Sequence, residues 1–243
     1  METSMPLVIL FVKAPEYGRV KTRLATAVGK KMALSLYRLF VETTLARLAP
    51  FAPLRIEYTP EKKEGLIKHW LTGPHEMRSQ KGMNLGIRMK NALARAFADG
   101  HSKAVIVGGD IPDLPVHLIR EAFEALESSD TVFVPVSDGG YCLVGARKGA
   151  LFTPMFEGMQ WSHSQVMTET IKRAKAHKIS VRLLPEWHDI DTPDDFLAFV
   201  KRNEHTPEFP SIYAKAARHI SDGGGCPHVD AHGHADAGEA PCP

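Results

Sequence analysis

Short, solid runs of apolar residues alternate along the chain with longer stretches whose apolar positions recur every three to four residues. The runs Leu7–Val12, Leu54–Tyr58, Lys103–Val107, Thr131–Val136 and Ile179–Leu184 read as strands. Several are apolar throughout instead of at every second position, which predicts strands buried on both faces of a largely parallel sheet. Between them, Leu85, Met89, Ala92, Leu93, Ala96 and Phe97 form one helical stripe. Leu118, Ile119, Ala122, Phe123 and Leu126 form a second, and Val166, Met167, Thr170, Ile171 and Ala174 a third. These methionine and phenylalanine stripes are read as core, not as cofactor contacts. Strand–helix alternation predicts an α/β domain with a mostly parallel sheet sandwiched by helices, and functional groups beyond the carboxyl ends of the strands. The pattern stops near Asn203, so the expected division is a domain over 1–203 and a flexible Gly/His-rich tail over 204–243.

Composition narrows the class. A chain of 243 residues, 44% apolar and 24% charged, buries a core without staples, which excludes collagen, a disordered chain and a disulfide-built mini-protein. The longest strongly apolar run, Leu7–Val12, is far short of the roughly 20 residues of a membrane helix, so no span is expected. It is not read as an export signal either, because Glu2 precedes it and no small-residue cleavage site follows. Cys142, Cys226 and Cys242 cannot all pair, which suits a reduced, cytoplasmic location. Lys plus Arg, 30, nearly balance Asp plus Glu, 28, so no global field attracts nucleic acid and any anion site must be local.

One stretch supplies such a site. The first strand runs into KAPEYGRVKTRLA, which places Lys13, Arg19, Lys21 and Arg23 in a loop that Pro15 and Gly18 shape. Four cations there, near a helix N-terminus, suit phosphate groups, although a solvated basic loop would look the same. With so few glycines it is neither a Walker loop nor a dinucleotide fingerprint, so side-chain charge must do the binding. In VIVGGDIPDLP, Asp110 falls at a strand's carboxyl end, where a carboxylate suits Mg²⁺ or Mn²⁺. Asp113 reads either as a second ligand or as a turn residue before the next helix. Asp138-Gly139-Gly140 is both a hairpin signal and a glycine-opened shelf, with Asp138 as base or hydroxyl acceptor and Tyr141 beside it. Trp161 and His163 would sit at a helix mouth, with Ser162 and Gln165 spaced as a capping box. In WHDIDTPDDF, Thr192 and Pro193 open a helix and Asp194 and Asp195 suit its dipole, which leaves Asp189 or Asp191 to complete a metal site.

The ordered motifs FVKAPEYGRVKTRLA, SQKGMNLGIRM, GGDIPDLP, DGGYCLVGA, WSHSQV and DIDTPDDF cover about Leu7 to Arg202. In that order they resemble the bacterial GT-A-fold, glycosyltransferase-like family of nucleotide-diphospho-sugar transferases. A more distant similarity is to the molybdenum-cofactor and phospholactate guanylyltransferases. The resemblance implies a GT-A-like, Rossmann-like fold, with nucleotide phosphates near Lys13, Lys21 and Arg23 and metal at Asp110, the second ligand, Asp191 or Asp189, being left open. It also implies that Gln80, Gly82 and Asn84 line the nucleotide side, and that sugar or acceptor contacts lie around Asp138 to Tyr141, with Gly139 and Gly140 among them; Trp161, at the helix mouth, is counted with these contacts. Asn84 reads besides as a helix N-cap. Two features depart from the family pattern. His163 stands where threonine is usual, and the acids of GGDIPD are separated by two residues instead of one.

Three functions are therefore carried forward. The first is metal-dependent transfer from a nucleotide sugar to a small-molecule acceptor. The second is nucleotidyl transfer from a triphosphate to a phosphorylated substrate. The third is nucleotide or metal binding without turnover, for which Cys226, His228, His232, His234 and Cys242 are candidate soft-metal ligands without a standard zinc spacing.

Overall fold

The computed structural model describes residues 5–51, 53–161, 163–206 and 209–222. Seven strands form one sheet in the order β3-β2-β1-β4-β6-β5-β7. They are β1 (Leu7–Lys13), β2 (Leu54–Thr59), β3 (Glu76–Ser79), β4 (Lys103–Gly108), β5 (Thr131–Pro135), β6 (Tyr141–Arg147) and β7 (Val181–Leu183). The helices are α1 (Ala25–Leu48), α2 (Glu64–Trp70), α3 (Leu85–Ala98), α4 (Val116–Ala125), α5 (Thr153–Phe156), α6 (Val166–Ala176), α7 (Pro193–Asn203) and α8 (Ser211–Ser221). The sheet is parallel except at β6, which runs antiparallel to both β4 and β5.

Solid apolar strands are the direct cause of this layering. In β1, Val8, Leu10 and Val12 face a core under α1, α2 and α4, while Leu7 and Ile9 face a second core under α3, α5 and α6. Each such buried aliphatic side chain contributes about 1.5–3 kcal/mol. The helix starts follow local chemistry. Asn84 Oδ1 accepts from Ile87 N–H at 2.9 Å, and Thr192 forms a reciprocal capping box with Asp195, with Pro193 in the first turn. The expected caps at Asn84 and Thr192 are both present. Ser162 lies outside the described residues, and α6 opens at Val166 with Gln165 as its flanking residue.

Two differences matter. The sheet has two strands more than the five expected. The added strands are β3, a short polar edge piece, and β6, which makes Asp138-Gly139-Gly140 the turn of a true hairpin. The packed chain also continues past Asn203. Helix α8 sets Tyr213 and Ala216 in a third core with Phe40 of α1 and Phe196 and Phe199 of α7. The domain thus includes 211–221, which the expected tail had claimed; residues 223–243, with the candidate ligands Cys226, His228, His232, His234 and Cys242, lie outside the described residues.

Beyond β1 the chain crosses to β2 on one side, whereas β4 pairs with β1 on the other. Their carboxyl ends form the switch point where α/β sheets bind ligands. Among the described residues no helix is long and apolar enough to cross a membrane.

Candidate active site

A cleft of about 760 Å³ opens at that switch point. Its wall carries five cations, Lys13, Arg19, Lys21, Arg23 and Arg88, and four carboxylates, Asp110, Asp138, Asp189 and Asp191. The basic loop between β1 and α1 supplies four of the cations. Tyr37 of α1 fastens its start, donating to the Lys13 carbonyl at 2.8 Å and accepting from the Lys13 N–H at 2.9 Å. Lys13 Nζ in turn donates to the Arg19 carbonyl at 2.6 Å and closes the loop on itself.

Lys21 is the centre of the charged wall. Its φ of +47° lies in the left-handed region that side chains other than glycine's rarely adopt, and such strain persists where the surroundings over-determine it. That conformation sends a side chain only 5% exposed to Asp110, with Nζ 2.7 Å from Oδ2 and 3.8 Å from Asp191 Oδ1. Arg23 Nη1 then donates to Asp191 Oδ2 at 3.0 Å. The segment carrying Asp189 and Asp191 is held there by the Ile190 N–H, which donates to the Asp110 carbonyl at 3.3 Å. Burial pushes the Asp189 carboxyl up to about 7, and the charges of Asp110 and Asp138 add to this against the pull of Lys21.

The hairpin forms the opposite wall. Gly140 N–H donates to Asp138 Oδ1 at 2.8 Å, which orients the carboxylate at the turn. Gly139 has φ +87°, and a Cβ there would fall 1.9 Å from the Ser164 carbonyl oxygen. Its own carbonyl accepts from Met167 N–H at 2.8 Å. Gly139 therefore lets the hairpin meet the start of α6 and does not line the cleft. His163 does line it, and its Nδ1 accepts from Gln165 N–H at 3.1 Å, leaving Nε2 as the protonated nitrogen of the neutral ring.

Of the residues singled out from sequence, the cleft gathers Lys13, Lys21, Arg23, Gln80, Asp110, Asp138, Gly140, Tyr141, Trp161 and Asp191. Pro15, Gly18, Gly82 and Gly139 lie outside its wall. Asp113 is also elsewhere. It is buried and accepts from Arg202, Asn203 and Trp187, tying α7 to the loop after β4. Sequence reasoning missed Arg88 and Met89 as wall residues, because on a helical stripe they read as surface and core. Gly86 was missed as well; it seats the Trp161 indole, since a Cβ there would lie 2.2 Å from Cζ2.

The model of a family described as "uncharacterized protein conserved in bacteria (DUF2064)" matches residues 43–163. A protein of Desulfovibrio desulfuricans G20 described as a putative nucleotide-diphospho-sugar transferase has a crystal structure that superposes with a TM-score of 0.84. It is 36% identical, over 90% of this chain and 98% of its own. The chain belongs to this family. It is accordingly a transferase. Its fold extends to more distant structures. The 4-diphosphocytidyl-2C-methyl-D-erythritol synthase of Anaerococcus prevotii is 13% identical with a TM-score of 0.53, over 81% of this chain and 99% of its own. A cytidylyltransferase of Leptospira borgpetersenii is also 13% identical with a TM-score of 0.53, over 91% and 95%. Comparison of the transferase with curated proteins finds no match.

Proposed function

We propose that this transferase moves a sugar from a nucleotide diphosphate to the hydroxyl of a small acceptor, in a metal-dependent reaction. The observation that carries the reading is the meeting of Lys21 and Asp110 at the carboxyl ends of adjacent parallel strands, inside a cleft with four further cations. Lys13, Arg19, Lys21 and Arg23 receive the diphosphate, with Gln80 on the nucleotide side. Charge-assisted hydrogen bonds from such a loop hold the leaving group and offset the charge it gains on departure, the term that usually dominates catalysis.

Among the described residues, no three His, Cys, Asp or Glu side chains gather into a ready-made metal site. The donor set nevertheless fits a hard divalent ion. Mg²⁺ is commonly held by one or two carboxylates, with substrate phosphates and water completing its shell. Asp110, with Asp189 or Asp191, would hold it; burial first and then the negative charges of Asp110 and Asp138 raise the Asp189 carboxyl, and a cation there offsets both. When bound, the ion supplies Lewis-acid stabilisation of the departing diphosphate. Asp138, fixed by the Gly140 N–H, orients or deprotonates the acceptor hydroxyl. Gly140, Tyr141 and Trp161 line the sugar side.

The richness of the cleft in cations also favours a second reading, nucleotidyl transfer, because five positive groups suit a triphosphate. The leaving group separates the two. Glycosyl transfer predicts slow, Mg²⁺- or Mn²⁺-dependent release of nucleoside diphosphate from a nucleotide sugar without acceptor. Nucleotidyl transfer predicts pyrophosphate release from a triphosphate once a sugar phosphate is added. Pyrophosphate release with no diphosphate from any sugar donor would overturn the first reading, and silence in both panels would point to binding without turnover.

A further inference from the structure

The cleft has a second end whose chemistry is unlike the charged one. There Phe11, Ile106 and Val144, from adjacent strands β1, β4 and β6, face the side of the sheet covered by α3, and Met89 of α3 lies against them. Two polar groups intrude on these apolar walls. The Tyr141 hydroxyl and the Trp161 Nε1–H are both sealed from solvent, and among the described residues neither has a hydrogen-bond partner. Buried polar groups are nearly always paired, so two orphans side by side in one cleft call for an occupant.

The arrangement is built, not incidental. The Trp161 indole occupies the space that the bare Cα of Gly86 leaves open. Tyr141 meets Trp161 edge to face at 6.4 Å and Phe133 at 4.9 Å. Both residues line the cleft, and among the described residues no hydrogen bond from the Tyr141 hydroxyl or the Trp161 indole commits either group elsewhere. An indole N–H can only donate, and burial raises the Tyr141 hydroxyl well above its ordinary range, which keeps it a donor as well. Two donors against apolar walls match an oxygen with two lone pairs carried on an apolar body. A fully hydroxylated sugar face would leave most of its hydroxyls unpaired here.

Building on the sugar-transfer reading above, we propose that this end is a specificity subsite for a carbonyl-bearing apolar substituent of the transferred sugar. The acetamido group of an N-acetylated sugar is its simplest form. Tyr141 O–H and Trp161 Nε1–H donate to the carbonyl oxygen, and the methyl group packs on Met89, Ile106 and Val144.

The test uses the full chain with ¹⁵N-labelled tryptophan and Mg²⁺, titrated with inorganic phosphate, glucose 1-phosphate and N-acetylglucosamine 1-phosphate. The chain has three tryptophans, and Trp161→Phe assigns the indole signal of Trp161. N-acetylglucosamine 1-phosphate should bind about tenfold tighter than glucose 1-phosphate, the scale of a gained hydrogen bond, and should shift that signal. Tyr141→Phe should remove most of this preference and leave phosphate affinity unchanged. Phosphate binding with equal affinity for the two sugar phosphates, or with a still Trp161 signal, would overturn the proposal and leave a bridging water as the partner of the two donors. Failure of phosphate itself to bind would strike the reading of the charged end, and the proposal with it.

Discussion

Lys21 shows how one side chain can be set against two demands. Its ammonium satisfies Asp110 and approaches Asp191, and on the sugar-transfer reading the same nitrogen must also meet a diphosphate. Lys21→Ala and Arg23→Ala should each weaken nucleoside diphosphate binding by about 1–3 kcal/mol, the worth of a lost charge-assisted hydrogen bond. Asp110→Ala should keep the fold and abolish any gain in affinity on adding Mg²⁺. Calorimetry giving wild-type affinity for both cation variants, or equal wild-type affinity in metal and in chelator, would demote this wall to a structural ion-pair network. Glu57 carries a second prediction. Fully buried in β2 beside Arg95, its carboxyl is pushed by desolvation up to about 7, against the pull of Arg95, Arg55 and Arg78. The folded chain thus keeps a proton that the unfolded chain releases from about pH 4.5. Glu57's contribution to stability is full below that pH and is lost as pH rises through about 7, at up to about 1.4 kcal/mol per unit. Glu57→Gln should flatten the pH dependence of urea unfolding between about pH 4.5 and 7; parallel wild-type and variant profiles would contradict this. Asp110 and the cations were legible in the sequence because an acid after a solid apolar strand has little structural use. Glu57 was not, since its partners come from β3 and α3 and meet it only in the folded sheet.

At the scale of elements, what was legible depended on how many sides of a segment are covered. Helices α3, α4 and α6 each bury one stripe, so spacing alone locates them. Helix α1 packs Tyr37 and Val41 toward the sheet and Leu36 and Phe40 toward α7 and α8, so its apolar residues form no single stripe. Gly29, at φ +77°, interrupts it further. Strand β3 is four residues at the sheet edge, where Glu76 and Arg78 pair with Arg55 and Asp99 instead of filling a core. Helix α8 had a readable stripe in Ile212, Tyr213, Ala216, Ala217 and Ile220, hidden by the glycine- and histidine-rich sequence after it. Its packing predicts a sharp asymmetry between two truncations. Removing 223–243, which has no apolar periodicity, should leave the melting temperature nearly unchanged. Tyr213→Ala, which empties the space between Phe40 and Phe199, should cost about 3–5 kcal/mol. Several degrees lost on removing 223–243 would mean that this segment docks or holds a structural ion, and a neutral Tyr213→Ala would mean that α8 is dispensable.

Seen whole, the molecule is one sheet whose two halves meet at the cleft. On one side β1, β2 and β3 carry the basic loop and Gln80, and on the other β4, β6 and β5 carry Asp110 and the hairpin with Asp138. The segment with Asp189 and Asp191 is clamped to the second half through Ile190 and the Trp187 bridge to Val136. A nucleotide bound at the charged end therefore touches both halves, and its binding free energy adds to the stability of the native state. At a ligand concentration of about 100 Kd the gain is about 2.7 kcal/mol. For a domain of this size, each kcal/mol raises the melting temperature by about 2–4 °C. A saturating nucleoside diphosphate with Mg²⁺ should thus shift the unfolding midpoint upward by about 5–10 °C. The shift should shrink on chelation, shrink further in Asp110→Ala, and persist in the 223–243 truncation, because the described cleft wall draws on residues from Phe11 to Asp191. A full shift retained in chelator would remove the metal from the site and leave the five cations to hold the anion alone. No shift with any diphosphate, in a chain whose melting temperature Tyr213→Ala still lowers, would separate a sound fold from an empty functional reading.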